Sequence, residues 1–109
     1  MSRNIALVTG ASRGIGKAIA KRLAKEGYFV IGTATSNAGV EGIDAYLHEF
    51  GGIGRILDVR QQENIDKLFE EIESVYGNVQ LLVNNAGITH DGLLMRMKDE
   101  DWLDVLETN

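Results

Sequence analysis

The stretch Ile5-Ala6-Leu7-Val8-Thr9-Gly10-Ala11-Ser12-Arg13-Gly14-Ile15-Gly16 joins an apolar run to a helical pattern through a glycine-rich turn. Ile5 to Thr9 is short, continuously apolar and ended by glycine, as expected of a strand buried on both faces. Beyond the turn, Ile15, Ala18, Ile19 and Leu23 recur at helical spacing. Lys17, Lys21, Arg22, Lys25 and Glu26 take the polar positions, and Gly27 closes the helix.

The same alternation continues along the chain. Tyr28 to Ile31 reads as a second strand, giving way to Thr33-Ala34-Thr35-Ser36. A weaker helix spans about Asn37 to Phe50, since Gly39 and Gly42 each cost roughly 1 kcal/mol against alanine. Gly54 to Val59 reads as a third strand. The clearest helix carries Ile65, Leu68, Phe69, Ile72, Val75 and Tyr76 in one stripe, stopped by Gly77. Leu81-Leu82-Val83 is a fourth strand, running into Asn84-Asn85-Ala86-Gly87, and a final helix is predicted from near Asp99, bearing Trp102, Val105 and Leu106. Strands alternating with helices imply an α/β fold: a doubly wound parallel sheet of the Rossmann type, of which residues 1–109 form one domain with about four strands. In that arrangement the fourth strand would be an exposed apolar edge, which soluble proteins avoid, so the pattern reads as the N-terminal half of a larger sheet.

Composition narrows the function classes. Sixteen acidic residues against eleven basic ones leave a net charge of −5. Without a basic run, nucleic acid is excluded as a partner, because binding it needs clustered cations to replace phosphate counterions. The sequence contains no cysteine, which removes disulfides and thiolate metal sites. Its first apolar run, Ile5 to Val8, is too short for a signal peptide or a membrane span, so no membrane role and a cytoplasmic location are expected. His48 and His90 lack a partner set, and no metal site is expected.

A phosphate needs backbone N–H groups it can approach closely at the positive end of a helix. Gly10 can make the tight turn, Gly14 can admit the pyrophosphate, and Gly16 can let helix and sheet pack closely. The spacing is G-x-x-x-G-x-G rather than the commoner G-x-G-x-x-G. A P-loop is the first competitor, since Lys17 follows Gly16. It fails because five residues rather than four separate Gly10 and Gly16, and because Ala18 stands where Ser or Thr should bind magnesium. A glycine turn that only reverses the chain is the second. The end of the second strand then bears on the cofactor. An NAD site places an acid about 20 residues after the glycines. Here Thr33-Ala34-Thr35-Ser36 carries none. Hydroxyls can donate to a ribose 2′-phosphate and Arg13 can pair with it, which favours NADP(H).

Thr9 to Gly16, Asp58-Val59 after the third strand and Asn84-Asn85-Ala86-Gly87 after the fourth resemble the signature of the short-chain dehydrogenase/reductase family, in order and in separation. The resemblance spans essentially all 109 residues. Within the family, the stretch from Ile88 to Trp102 and Thr33 to Ser36 are similar to bacterial reductases of 3-oxoacyl-[acyl-carrier-protein] thioesters. The resemblance implies that Gly10, Ser12, Arg13, Gly14 and Ile15 surround the phosphates, with Arg13 and Thr35 nearest the 2′-phosphate. It implies that Asp58 accepts from the adenine amine, that Val59 flanks it, and that Asn85, Ala86 and Gly87 line the ribose side. Asn84 would tie neighbouring strands together. Catalysis in the family uses Asn, Ser, Tyr and Lys, and only the Asn is here, as Asn109. No tyrosine is followed four residues later by lysine: Gly32, Phe50 and Gln80 follow Tyr28, Tyr46 and Tyr76. The expectation is therefore the cofactor-binding half of an NADPH-dependent, homo-oligomeric reductase, with the tyrosine and lysine outside these residues. A non-catalytic nucleotide-binding fragment and a reductase for another carbonyl substrate are the alternatives.

Overall fold

A computed structural model describes residues 4–85 and 101–104. Five strands form one parallel sheet: β1 (Ile5–Thr9), β2 (Phe29–Ala34), β3 (Ile53–Ile56), β4 (Val79–Asn84) and β5 (Asp101–Asp104), in the order β3-β2-β1-β4-β5. Helices α1 (Gly14–Lys25), α2 (Asn37–Leu47) and α3 (Gln62–Val75) cover its faces, and a short 3-10 turn, His48–Phe50, follows α2. The chain runs outward from β1 through β2 to β3, then returns to place β4 on the other side of β1. The order therefore reverses between β1 and β4, and ligands of open α/β sheets bind at the carboxyl ends of such a pair.

Strand alternation divides the core. Ile5, Leu7, Phe29, Ile31 and Leu82 point to one face and pack with Ile65, Leu68, Phe69 and Ile72 of α3. Ala6, Val8, Val30 and Val83 point to the other, against Ala20 and Ala24 of α1 and Ile43 and Leu47 of α2. Small residues on this second face set how close α1 can come.

That closeness changes the reading of α1. Its buried residues are Gly16, Ala20 and Ala24, while Ile15 is 42% exposed, so the innermost row is the small one rather than the row of Ile15 and Ala18. Ile19 and Leu23 pack at its flank. Elsewhere the boundaries shift. The second strand extends through Thr33 and Ala34, both buried, and the third ends at Ile56 rather than Val59. The stripe of α3 is buried only as far as Ile72. Val75 is 64% exposed at the last turn, and Tyr76 lies past the helix with its ring 4.8 Å from that of Phe29.

The helix predicted from near Asp99 is not found over residues 101–104, which are a strand paired in parallel with β4 from Leu81↔Asp101 to Asn84↔Asp104. Pairing there satisfies the N–H and C=O groups that β4 would otherwise present as an open edge, a long-range demand that outweighs local helical spacing. Among the described residues the sheet accordingly has five strands where about four were expected.

Candidate functional site

The turn after β1 lies beside the end of β4. Gly10 and Gly14 both take left-handed backbone conformations, with φ of 64° and 61°, which a side chain would resist. Gly16, one turn into the helix region, has a different constraint. A Cβ there would collide with the Gly10 carbonyl oxygen and come within 2.6 Å of Asn85 Nδ2. The absent side chain is what allows α1, the turn and the end of β4 to meet.

Asn85 joins the two sides. Its Nδ2 donates to the Gly10 carbonyl at 3.0 Å, and its backbone N–H donates to the Thr9 hydroxyl, also at 3.0 Å. That hydroxyl in turn donates to Asn84 Oδ1 at 3.2 Å, across the register pair Thr9↔Asn84. Asn85 is 5% exposed, and its Oδ1 is buried with no hydrogen-bond partner among the described residues. A buried carbonyl oxygen without a donor carries an energetic penalty of about 1–3 kcal/mol until something donates to it.

Around this junction the electrostatics favour an anion. Arg13 caps the start of α1 in extended conformation with no side-chain capping bond, and the first turn of the helix holds no acidic residue. The positive end of the helix thus begins at an exposed arginine. Ser12 is half-buried. Thr35 is exposed just past β2, next to Ser36, whose side chain accepts from the Gly39 N–H at 3.1 Å to cap α2.

Asp58, expected to accept from an adenine amine, accepts here from a neighbouring arginine. Arg60 donates Nε to Asp58 Oδ1 at 3.0 Å and Nη2 to Oδ2 at 2.9 Å, and the Arg60 backbone N–H also reaches Oδ1. These hydrogen bonds, with the guanidinium charge, hold the Asp58 carboxyl below its ordinary pKa. Val59 beside it is buried. Ala86, Gly87 and Asn109 lie outside the described residues.

The structure therefore brings Gly10, Gly16 and Asn85 into contact and leaves Ile15 and Thr35 exposed around them. Three residues, Thr9, Tyr46 and Arg60, were given no role at the site from sequence. Thr9 was legible as a hydroxyl closing an apolar strand. Tyr46 sits half-buried on α2 beside the inward-facing Ile43 and Leu47, and its phenol needs an acceptor; here it is the Ala11 carbonyl, 2.6 Å away. Arg60 carried no signal beyond its position two residues after Asp58. Among the described residues no group of three His, Cys, Asp or Glu side chains could hold a metal, and no helix is long and apolar enough to cross a membrane.

Comparison with known proteins places this geometry in context. The family described as short chain dehydrogenase matches residues 4–109. A "3-oxoacyl-[acyl-carrier-protein] reductase FabG" of Haemophilus influenzae is 56% identical over 109 residues, all of this chain and 45% of that protein. The protein of the same name from Escherichia coli is 57% identical over 105 residues, 96% of this chain and 43% of its own length. The Pseudomonas aeruginosa protein is 52% identical over 107 residues. The chain thus spans less than half the length of the curated relatives it matches.

Proposed function

The chain belongs to the short chain dehydrogenase family, and from that premise we propose that it holds NADPH for the reduction of a 3-oxoacyl-[acyl-carrier-protein] thioester to the 3-hydroxyacyl form in fatty-acid biosynthesis. The observation that carries the reading is the junction at Gly16, where a Cβ would fill the space between the Gly10 carbonyl and Asn85. Two left-handed glycines, a helix start without acids and an exposed Arg13 fit a diphosphate there. The relatives bearing the reductase name support the substrate class.

In this reading Gly10, Ser12, Gly14 and Ile15 bind the diphosphate, and Arg13 with Thr35 pairs with the 2′-phosphate. Asp58 and Val59 take the adenine, with Arg60 sharing the carboxylate. Asn85, Ala86 and Gly87 face the ribose, and Asn109 orders a water in the proton relay. The bound nicotinamide supplies hydride, and general acid catalysis comes from a tyrosine and lysine outside these residues. The whole protein acts in the cytoplasm as a homo-oligomer.

Fluorescence titration with NADPH and NADH tests the cofactor: NADPH is expected to bind more tightly, and equal or tighter NADH binding overturns that part. Oxidation of NADPH with an acetoacetyl thioester tests the reaction. A chain extended past Asn109 is expected to turn over, and its failure to do so rejects the substrate. The 109 residues alone are expected to bind without measurable turnover, since they contain no Tyr-x-x-x-Lys. Robust activity from them would overturn the placing of the proton donor.

A further inference from the structure

Besides Asn85, a second residue far along the chain holds the phosphate turn. We propose that Tyr46 is a positioning residue for the turn, its phenol fixing the Ala11 carbonyl so that the Ser12 N–H is presented to a nucleotide diphosphate. This rests on the reading of the turn as a nucleotide site.

The argument starts from the peptide groups. The peptide joining Gly10 to Ala11 is held at both ends: its carbonyl accepts from Asn85 Nδ2 at 3.0 Å, and its N–H donates to the Thr33 carbonyl at 2.9 Å. Among the described residues the next peptide, Ala11 to Ser12, is held at its carbonyl alone, by the Tyr46 hydroxyl at 2.6 Å. A trans peptide is planar, so its carbonyl and its N–H point in opposite directions. Tyr46 binding the one from α2 therefore turns the Ser12 N–H away from α2, where no described residue accepts from it.

The anchor is well placed to hold. Ala11 is fully buried, and a Cβ at Gly32 would lie 2.9 Å from the Ala11 Cβ and 3.0 Å from Ile43 Cγ2, so the turn and α2 sit together on that glycine. At its other end α2 comes close to Ser12, whose Cβ lies 3.4 Å from a Cβ built at Gly39. Lys17 adds its ammonium 5.3 Å from the centre of the Tyr46 ring, a second link between α1 and the same phenol. Burial pushes the phenol up to about 12, so it remains a donor throughout the physiological range.

Tyr46→Phe tests the proposal through binding alone, with NADPH, ADP and 2′-AMP as probes well below the unfolding temperature. Loss of one hydrogen bond that aims a donor is expected to weaken NADPH and ADP by about fivefold each. Binding of 2′-AMP, which lacks the diphosphate, is expected to stay within twofold. Unchanged NADPH and ADP binding overturns the role, and so does an equal loss for 2′-AMP, which a merely structural contact would produce. If the variant does not fold, amide exchange in the unaltered protein decides: NADPH is expected to protect the Ser12 N–H, and no protection overturns the proposal. A protein that binds neither NADPH nor ADP would instead refute the nucleotide reading itself, and the role of Tyr46 with it.

Discussion

Asn85 Nδ2 and the Gly10 carbonyl oxygen lie 3.0 Å apart although 75 residues separate them in the chain. This bond closes the angle between β1 and β4, and the missing side chain of Gly16 leaves room for it. The site is therefore a junction of three segments, and each can be perturbed separately.

Gly16→Ala and Gly42→Ala should act in opposite directions. The first drives a Cβ into the Gly10 carbonyl and Asn85, backbone and buried amide that cannot swing aside. A loss of about 1–3 kcal/mol in denaturant unfolding is expected, with NADPH binding abolished. At Gly42, inside α2, a Cβ meets nothing within 4 Å. That change should stabilise by about 0.5–1 kcal/mol and leave binding alone. Equal destabilisation by both would mean that the junction at Gly16 is not tight.

Arg13→Ala removes the exposed cation at the start of α1 without touching the core. NADPH affinity should fall by about tenfold or more, the scale of a lost bond to a charged group, while NADH affinity changes little. An equal loss for both would place Arg13 on the diphosphate rather than on the 2′-phosphate.

Arg60→Ala should move the titration of Asp58 upward, toward the ordinary carboxylate value, as followed by carbon-13 NMR. The Asp58 carboxyl is depressed first by the Arg60 side-chain hydrogen bonds, then by its backbone N–H. A depressed folded-state pKa contributes stability that is present above the unfolded value and lost as the pH falls through the folded one. The variant should therefore show a weaker acid dependence of unfolding. No movement of the Asp58 resonance would show that the pair is not held in solution.

Tyr46 has the opposite sign. Its phenol is raised from 10.0 to about 12 by burial, and donation to Ala11 favours the same neutral form. Its contribution to stability is full below pH 10 and declines as the pH rises toward 12. Ultraviolet absorbance should show one tyrosine ionising late, a step missing in Tyr46→Phe. If the late step survives that substitution, another phenol is responsible.

The amino-acid sequence was enough to set the alternation of strand and helix, the turn at Gly10 to Gly16 and the cluster at Asn84-Asn85. Those readings depend on short-range causes: periodicity of apolar residues, backbone freedom of glycine, and hydrogen-bonding side chains at strand ends. It did not determine which row of α1 faces inward, because Ile15 and Gly16 are neighbours and only the approach of the Gly10 carbonyl and Asn85 favours the smaller one. Local spacing likewise read residues 101–104 as helix, whereas the edge of β4 draws them into the sheet. The Asp58 carboxylate was legible as an acceptor, but its occupation by Arg60 was not, since side-chain torsions decide it. Tyr46 on Ala11 and Asn85 on Gly10 join residues 35 and 75 positions apart, and only the fold brings such pairs within hydrogen-bond reach.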